Sequence, residues 1–437
     1  MRIALLSPKG PLYRHRGGIF KKSLRYAPLT LTTLAALVPE ELRGEILLLD
    51  EGIEEIDPEL EADVIGITSI TGTAPRSYEW ADHFRSRGIP VVLGGPHVTL
   101  VPEEAKEHAD AICVGYAEES WPRLLRDLAA GRLGARYDQG PDFSLAGKPL
   151  PRRDLLRKGS YLTPHTVEAT RGCCHDCEFC VVPSAWGTKP YQKPVDEVVE
   201  DIRSMGARRI VFLDLNLVAD LAYATELFEA LIPLDVSWFG LSTVVLARNP
   251  RLLDLCARSG CRGLLVGFES LSGESLRGAG KRFNSPERYR EIIRSFHQKQ
   301  ISLMGCFVFG LDDDRPDVFQ RTASFAVEER IDLPRFAIAT PFPGTPLYRR
   351  LNAEGRILTR DWGLYDGQHV VFQPKHMEVE ELLKGTELAW KAAYGYRSMW
   401  HRLVGSYRQP LQALALNLGY RYYAHRLDRF YTCEALA

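Results

Sequence analysis

The sequence predicts an α/β protein with a doubly wound, Rossmann-like parallel sheet, followed by a partial parallel (β/α)6 barrel and a helical C-terminal region. The first observation is that short aliphatic runs alternate with helical patterns over residues 1–130. The second is that this alternation restarts at residue 165 and continues for six strand–helix units. The third is that purely helical patterns follow residue 376. We therefore expect domains at residues 1–145, 160–375 and 376–437.

The length and charge of the chain limit its function. A chain of 437 residues with 45% hydrophobic content can fill two or three cores. Its net charge of −1 gives no electrostatic signature of nucleic-acid binding. The apolar run near Ile3 is too short for a secretory signal, and no run approaches the ~20 apolar residues of a membrane span. We expect a cytoplasmic protein with reduced thiols.

The strands of the first domain are predicted from runs such as RIALLSP, EILLLDEG, DVIGITSIT, IPVVLGG and AICVGY. A doubly wound sheet binds its ligand at the carboxyl ends of its strands, and small residues there allow close approach to the backbone. Gly94 and Gly95 could instead simply form a tight turn. The predicted contact residues at these strand ends are Thr68, Ser69, Ile70, Thr71, Gly72, Thr73, Gly94, Gly95, Pro96, His97, Gly115 and Glu118.

Two further features of this half of the chain refine the prediction. The first strand turn reads LLSPKGPLYR and lacks G-x-G-x-x-G, so a dinucleotide is not the favoured ligand. Residues 131–164 are rich in Gly, Pro and charged residues without a period, which is typical of a linker.

The barrel strands are predicted from HTVEA, RRIVFLD, VSWFGLS, RGLLVGF, LMGCFVFG and RFAIAT, each followed by a helical pattern. Directly after the first of them, four of the nine cysteines fall within eight positions, in ATRGCCHDCEFC. Cys173, Cys177 and Cys180 form C-x3-C-x2-C, and Cys174 falls outside that spacing. In enzymes built on a parallel barrel, the active site lies at the carboxyl ends of the barrel strands.

A zinc site is the main alternative for these cysteines. Zinc usually takes four ligands from paired C-x2-C knuckles or added histidines, and Cys256 and Cys261 do not supply such a pair. Three thiolates can instead hold three irons of a [4Fe–4S] cluster and leave the fourth iron open. We therefore predict Cys173, Cys177 and Cys180 as the metal ligands.

The C-x3-C-x2-C motif within a six-unit barrel resembles the radical S-adenosylmethionine (SAM) superfamily. VFLDLNLVAD, VGFESL and ATPFPGTPLY resemble its second, fourth and sixth strands, whereas Cys306, Val308, Gly310 and Asp313 replace the common G-x-I-x-G-x-x-E of the fifth. Glu269 could contact the ribose of SAM or form a salt bridge within the barrel. The resemblance implies cofactor contacts at Phe179, Asp214, Ser242, Glu269, Val308 and Thr340.

The first domain, placed before such a barrel, resembles the cobalamin-binding domain of cobalamin-dependent radical SAM enzymes. The resemblance covers residues 1–375 and rests on ITSITGTA, GGPH, FVFG and TPFPGTPLY, while GYAEE departs from the commoner G-E-x-E. Residues 1–150 contain no D-x-H-x-x-G, so no histidine is expected on cobalt. His97 is either a contact of the cobalamin tail or a structural hydrogen-bonding residue.

This resemblance implies three cofactors: a [4Fe–4S] cluster, SAM and cobalamin. Most of the family are methyltransferases, which use one SAM to methylate cobalamin and another to make the 5′-deoxyadenosyl radical. Carbon methylation of a small or lipid-like molecule is therefore the leading hypothesis, with an electron donor such as flavodoxin or ferredoxin. A radical oxidation, cyclisation or ring rearrangement is the alternative, and a non-catalytic cobalamin or redox sensor is the alternative of another class.

The C-terminal tail mixes aromatic, aliphatic and basic residues. Such a helix could guide an amphiphilic substrate, contact a membrane surface or simply pack on the barrel. The residues concerned are Tyr407, Arg408, Leu411, Leu414, Leu418, Arg421, Tyr422, Tyr423, Arg426 and Arg429.

Overall fold

The computed structural model describes residues 1–10, 23–140, 142–404 and 410–427. The first part of the chain alternates strands with helices, as its aliphatic runs predict. Its strands are β1 (Ile3–Ser7), β2 (Ser23–Tyr26), β3 (Ile46–Asp50), β4 (Val64–Thr68), β5 (Val91–Gly94), β6 (Ala111–Val114) and β7 (Arg136–Asp138). Its helices are α1 (Leu29–Ala36), α2 (Ala74–Ser86), α3 (Pro96–Leu100), α4 (Pro102–Ala105) and α5 (Ser120–Ala129).

The first sheet is parallel, with the strand order β3-β1-β4-β5-β6-β7. One face packs against α2 around Trp80 and Phe84, and the other packs against α1 and α5 around Trp121 and Leu124. The chain leaves β1 toward β3 on one side and returns as β4 on the other, so the strand order reverses between β1 and β4. In a doubly wound sheet this crevice, at the carboxyl ends of the strands, is the ligand site.

The second part of the chain has a longer series of elements. Its strands are β8 (Tyr161–Thr163), β9 (Thr166–Val167), β10 (Thr170–Arg171), β11 (Tyr191–Gln192), β12 (Arg209–Phe212), β13 (Ser237–Ser242), β14 (Cys261–Glu269), β15 (Ser302–Phe309) and β16 (Leu333–Ile338). Its helices are α6 (Val181–Trp186), α7 (Val195–Met205), α8 (Leu221–Leu231), α9 (Pro250–Arg258), α10 (Gly273–Gly278), α11 (Tyr289–Gln298), α12 (Val318–Glu328), α13 (Pro346–Ala353), α14 (Val379–Ala393), α15 (Tyr396–Leu403) and α16 (Pro410–Ala424).

The second sheet is also parallel, with the order β16-β15-β14-β13-β12-β9, and it confirms the predicted six-stranded partial barrel. Along β15, half-buried and fully buried residues alternate strictly. Phe307 and Phe309 lie on the helix side, where they stack with Phe336. Cys306 and Val308 therefore lie on the opposite side, which we call the inner face of the barrel.

The structure corrects the linker prediction at one point. Residues 136–138, inside the predicted linker 131–164, form β7 and pair with β6. Tyr137 is buried in the same core as Trp121, which explains the ordering. The strand escaped detection because the three residues RYD contain a single large apolar side chain. The pairing of β2 with β8, which ties the N-terminal part to the barrel, was also not predicted.

The C-terminal helices extend the outer layer of the barrel at its open edge. The indole nitrogen of Trp390, on α14, donates to the carbonyl of Phe336 at 3.0 Å. The rings of Tyr420 and Tyr423, on α16, lie 6.1 and 5.1 Å from that of Trp390. One side of the tail helix thus packs on the barrel. Tyr407, Arg408 and Arg429 lie outside the described residues.

None of the helices that the structure describes combines the length and the apolar character that a bilayer crossing requires.

Candidate functional site

The four clustered cysteines lie in a loop, residues 172–180, that joins β10 to α6; we call it the cysteine loop. Gly172 begins it with a φ of 83°, and a Cβ there would lie 3.0 Å from the carbonyl oxygen of Lys189. The amide of Cys180 donates to the carbonyl of Cys177 at 3.1 Å, which closes a turn around the last two cysteines of the motif. The loop therefore has a defined backbone shape.

The three thiols of the C-x3-C-x2-C motif form one electrostatic group. The pKa of Cys177 is raised to about 12, mainly by burial and further by Cys180, Glu269 and Cys173, against the lowering effect of Lys281. Cys180 likewise has a raised pKa, with burial as the largest cause and Cys173 among the others. Such thiols need nearby positive charge to ionise, which bound metal supplies.

A tighter grouping overlaps this one. The Sγ atoms of Cys173 and Cys174 and a ring nitrogen of His175 lie within 4.8 Å of one another, close enough to hold one ion. That set offers three ligands where a structural zinc site needs four, and it leaves the buried Cys177 and the half-buried Cys180 without a role. In an iron–sulfur cube each thiolate binds a different iron, so its ligands lie farther apart than those of a single ion.

A buried ion pair lies beside the cysteine loop. The Nζ atom of Lys281 lies 2.5 Å from a carboxylate oxygen of Glu269, and both residues are buried. Lys281 also interacts electrostatically with Cys177 and Cys180. Glu269 has a φ of 64° at the end of β14, where the pairing with β15 shifts register. Glu269 thus forms the barrel salt bridge that was one of its two predicted roles.

Asp214 holds the start of the cysteine loop. Its carboxylate accepts hydrogen bonds from the amides of Ala169 and Thr170 and from the Thr170 hydroxyl, the last at 2.8 Å. Burial, followed by repulsion from Glu168, raises the pKa of Asp214 to about 7. Asn216 donates to the Sγ atom of Cys173 at 3.6 Å. The Asp214 side chain, predicted as a cofactor contact, is therefore occupied by backbone groups of the chain.

The other residues with predicted SAM contacts surround the same end of the barrel. They are Ser242, Glu269, Val308 and Thr340, at or after the ends of β13, β14, β15 and β16, and Phe179 in the cysteine loop. The hydroxyls of Ser242 and Thr340 donate to nearby backbone carbonyls at 3.3 and 3.1 Å. The structure thus brings these residues to one rim of the barrel, although the hydroxyls of Ser242 and Thr340 already have backbone partners.

A cavity of about 450 Å³ lies between the first sheet and the start of the cysteine loop. Both domains line it, and its walls are largely apolar. Seven of the predicted strand-end residues line it, namely Thr68, Ile70, Gly94, Gly95, Pro96, Gly115 and Glu118. The barrel side contributes Glu168, Thr170, Arg171, Gly172, Trp186, Leu213 and Leu215. The remaining predicted residues, Ser69, Thr71, Gly72, Thr73 and His97, are not part of the wall.

Gly95 requires glycine for a backbone reason. Its φ is 101°, and a Cβ would lie 2.7 Å from the carbonyl oxygen of Ser69. The structure therefore shows the tight turn, and it places Gly95 in the cavity wall, where the predicted ligand contact stays a prediction.

His97 does not face the cavity. Its ring is fully buried, with ring nitrogens 3.1 Å from the Tyr78 hydroxyl and 3.3 Å from that of Thr71. Glu104 lies 3.6 Å away and accepts from the indole nitrogen of Trp362 at 2.9 Å. This network joins the first domain to the segment after the barrel. The placement favours the structural role among the two that were predicted for His97.

An arginine joins the two domains beside the cavity. Arg171 pairs with Glu118 of the first domain and with Glu168 at 2.8 Å, and its guanidinium lies 5.0 Å from the ring centroid of Tyr116. One carboxylate oxygen of Glu118, Oε2, has no hydrogen-bond partner among the described residues. Trp186 stacks on Tyr116 from the barrel side at 5.1 Å.

Sequence reasoning missed Arg171, Trp186 and Lys281. Arg171 had a usable signal, since it lies two residues before Cys173 and a buried cation could be expected beside several thiols. Lys281 and Trp186 carried no comparable signal, because only the folded chain brings them next to residues far away in the sequence.

Two family models match the chain. The B12 binding domain matches residues 26–125, and the Radical SAM superfamily matches residues 167–326. These ranges contain the strand-end loops and the cysteine loop, respectively.

The comparisons with known proteins agree with these models. The chain is 31% identical to the bacteriochlorophyllide d C-12(1)-methyltransferase of Chlorobaculum tepidum, over 86% of this chain and 85% of that protein. It is 31% identical to the bacteriochlorophyllide d C-8(2)-methyltransferase of the same organism, over 80% and 81% of the two chains. Its fold matches that of the radical SAM methyltransferase TsrM from Kitasatospora setae, solved with cobalamin and a [4Fe–4S] cluster bound, with a TM-score of 0.65, 18% identity and coverage of 81% and 78%.

The B12 binding domain precedes the radical SAM domain, and a cavity lies between them. The similarity to a known methyltransferase covers most of the chain. The chain therefore belongs to the cobalamin-dependent radical S-adenosylmethionine methyltransferases.

Proposed function

We propose that this protein methylates a carbon atom of a large, planar, apolar molecule of the tetrapyrrole type. The observation that carries this proposal is the apolar cavity between the cobalamin domain and the start of the cysteine loop at Gly172, because it opens the strand-end loops of the first sheet toward the cysteine loop. The two methyltransferases described above act on bacteriochlorophyllide d, as their names state, which supports a tetrapyrrole over other apolar molecules.

The thiols of Cys173, Cys177 and Cys180 are our proposed cluster ligands. The structure fits a site-differentiated cluster in that these three thiols interact with one another, while Cys174 is exposed. Lys281, which is buried beside two of them, offsets their negative charge when they ionise.

SAM is proposed to bind at the rim formed by Phe179, Ser242, Glu269, Val308 and Thr340. The Glu269–Lys281 pair is polar, buried and adjacent to the cysteine loop, so it can present either charge to a zwitterionic ligand. Asp214 is proposed to act indirectly, because it fixes the backbone at the start of the loop.

Cobalamin is proposed to bind between the loops that line the cavity, at Thr68, Ile70, Gly94–Pro96, Gly115 and Glu118. Ile70 is exposed and aliphatic at this edge, and His97 is turned away into its own network. This arrangement supports binding without a histidine on cobalt. Ser69, Thr71, Gly72 and Thr73 are proposed to shape the loop and not to touch the ligand directly.

When bound, the two cofactors supply a transferable methyl group and a hydrogen-abstracting radical, and the protein supplies binding and shielding. The apolar walls exclude water from the cavity, which would otherwise quench reactive species. Arg171 and Glu118 hold the two domains together at the edge of that space.

The remaining proposals concern compartment and partners. The described cysteines are free thiols, which supports a reducing compartment such as the cytoplasm and a donor such as flavodoxin or ferredoxin. On the surface of the C-terminal helices, Trp400 is 72% exposed and Leu411 is 82% exposed, which supports contact with an amphiphilic substrate or a membrane surface. The net charge of −1 gives no support to a nucleic-acid partner.

The decisive experiment incubates the reduced, fully loaded enzyme with methyl-labelled SAM and bacteriochlorophyllide d. We expect label on a carbon of the tetrapyrrole, with S-adenosylhomocysteine and 5′-deoxyadenosine in equal amounts. Formation of 5′-deoxyadenosine without S-adenosylhomocysteine or transferred label would instead identify a radical oxidation or cyclisation. Release of no 5′-deoxyadenosine by the reduced enzyme with SAM, whether or not substrate is added, would identify a sensor.

A further inference from the structure

Arg335 is a charged residue in the middle of the last barrel strand. Its side chain is exposed, although its neighbours Pro334 and Phe336 along β16 are buried. Phe336 points to the helix side, where it stacks on Phe309, so Arg335 lies on the inner face of the barrel. Among the described residues, none forms a hydrogen bond or an ion pair with its guanidinium.

Several buried or half-buried arginines in this half of the protein have partners among the described residues. Arg153 pairs with Asp201 at 2.5 Å, and Arg350 pairs with Glu178 at 2.7 Å. Arg402 donates to three backbone carbonyls, those of Ile331, Asp332 and Ala393. Arg335 differs from them, because its side chain is exposed on the inner face and has no partner among the described residues, so its N–H groups are open to an anionic ligand. Arg335 is therefore a cation whose counter-ion the described chain does not supply.

The surroundings of Arg335 are aromatic and apolar. Its electrostatic neighbours are Tyr420, Cys306, Tyr423 and Tyr394. The hydroxyl of Tyr420 lies 4.0 Å from the Sδ atom of Met304, which occupies the same inner face. Flat rings and a flexible thioether adapt well to a flat apolar ligand. The chemistry of this region thus combines one positive charge with a surface for a large apolar body.

The strand register places Arg335 below the cofactor rim. Arg335 pairs with Cys306, which pairs with Gly267, two residues before Glu269 on β14. Because the register shifts there, Glu269 pairs with Phe307, one residue beyond Cys306, so the offset along the strands is about one residue, or roughly 3.3 Å. A ligand anion at Arg335 would leave the rest of that molecule free to extend toward Glu269 and the cysteine loop.

The same region also borders the interdomain cavity. Tyr26 lines that cavity and is also an electrostatic neighbour of Tyr420. Tyr26 is 52% exposed, so its ring is available to a ligand. An extended apolar molecule could therefore contact Arg335 at one end and the cavity at the other.

We propose that Arg335 binds a carboxylate of the substrate and so determines which end of the substrate faces the cysteine loop. This inference rests on the proposed function, to which it adds a specific requirement: the substrate carries a free carboxylate. A guanidinium offers two parallel N–H donors that match the two oxygens of a carboxylate. Arg335 is therefore a specificity-determining residue.

The test measures binding and does not depend on methyl transfer. The probes are pyrenebutyrate, which joins a flat apolar body to a carboxylate, and its methyl ester, added to the enzyme loaded with cluster and cobalamin. Pyrene fluorescence gives the dissociation constants. We expect the acid to bind about tenfold or more tightly than the ester, the range of a charged hydrogen bond. Arg335→Gln should weaken binding of the acid to the level of the ester and leave the ester unchanged.

Two further variants make the result interpretable. Arg335→Lys keeps the positive charge but lacks the two parallel N–H donors of a guanidinium. It should therefore retain part of the preference for the acid that Arg335→Gln loses. Arg321→Gln, at an exposed arginine on α12, should behave as wild type. An equal loss of acid and ester in Arg335→Gln, or no preference for the acid in wild type, overturns the proposal. If the preference is present but bacteriochlorophyllide d accepts no label, the carboxylate site stands and the tetrapyrrole assignment fails.

Discussion

The strand-end loops of the first sheet and the cysteine loop of the barrel border the same cavity, but they use different groups to do so. The first edge presents backbone and small or aliphatic side chains, with glycine at Gly94, Gly95 and Gly115. The second contributes Arg171 and Gly172 to the cavity wall, and its thiols and the buried Glu269–Lys281 pair lie in and beside the cysteine loop. A large cofactor held by many weak contacts suits the first edge, and a metal cluster held by a few bonds suits the second. Single substitutions should therefore have larger effects at the second edge.

The largest expected effect is on the cluster. Alanine at Cys173, Cys177 or Cys180 should abolish binding of iron and sulfide after anaerobic reconstitution, because each thiolate is a required bond. Iron, sulfide and electron paramagnetic resonance of the reduced protein provide the measurement. Cys174→Ala is the matched control and should retain about four iron per chain. Zinc after anaerobic purification, or loss of the cluster in Cys174→Ala, would favour the single-ion grouping with His175.

The second prediction tests the edge that depends on shape. Gly95→Ala should weaken cobalamin binding strongly, because its Cβ would lie 2.7 Å from the Ser69 carbonyl oxygen in a conformation that disfavours side chains. Gly88→Ala is the control, since Gly88 has a φ of 78° but no atom within 4 Å of the added Cβ. Absorbance titration with hydroxocobalamin should separate the two. Equal affinities would mean that the turn at Gly95 does not shape the site.

The wild-type protein loaded with cobalamin tests which ligand binds cobalt. Electron paramagnetic resonance of the Co(II) form should show no nitrogen splitting from a protein imidazole, because His97 is committed to Tyr78 and Thr71. A single imidazole nitrogen on cobalt would show that the His97 network rearranges when cobalamin binds.

The third prediction concerns the joint between the two edges. Glu118→Gln removes the charge that Arg171 faces in the first domain, and loss of one partner of a buried pair costs about 3 kcal/mol. The midpoint of thermal unfolding should fall by several degrees. Glu119→Gln, at the exposed neighbour, should leave it unchanged. An unchanged midpoint in Glu118→Gln would show that Glu168 alone satisfies Arg171.

The difference between the two edges also explains what could be predicted from the sequence. Periodicity was enough for the two parallel sheets, because ten of their twelve strands are four to nine residues long and largely buried. Spacing was enough to propose Cys173, Cys177 and Cys180, since metal ligands in one loop are local. The short strand β7 was missed because it has a single buried apolar residue, Tyr137.

Contacts between distant parts of the chain could not be predicted in this way. Lys281 lies about a hundred residues from the cysteines it faces, and Arg171 pairs across the domain boundary with Glu118. His97 sits at a strand end, as the sequence indicated, yet its ring points into a network completed by Trp362 from the segment that follows the barrel. Side-chain direction at a loop depends on tertiary packing, which local patterns do not record.

The last expected effect is a dependence of stability on pH that arises from two buried carboxyls. Burial raises the pKa of both Asp214 and Asp314 to about 7, from an ordinary value of 3.8. Between these two values the folded protein keeps a proton that the unfolded chain releases, so stability falls as pH rises from about 4 to 7. Each group contributes at most about 1.4 kcal/mol per pH unit.

Urea unfolding at pH 5 and pH 7 should show a smaller loss of stability in Asp214→Asn than in wild type, and Asp142→Asn, at an exposed site, should match wild type. A wild-type protein that is equally stable at both pH values would show that Asp214 ionises freely, and that the hydrogen bonds from Ala169 and Thr170 outweigh its burial.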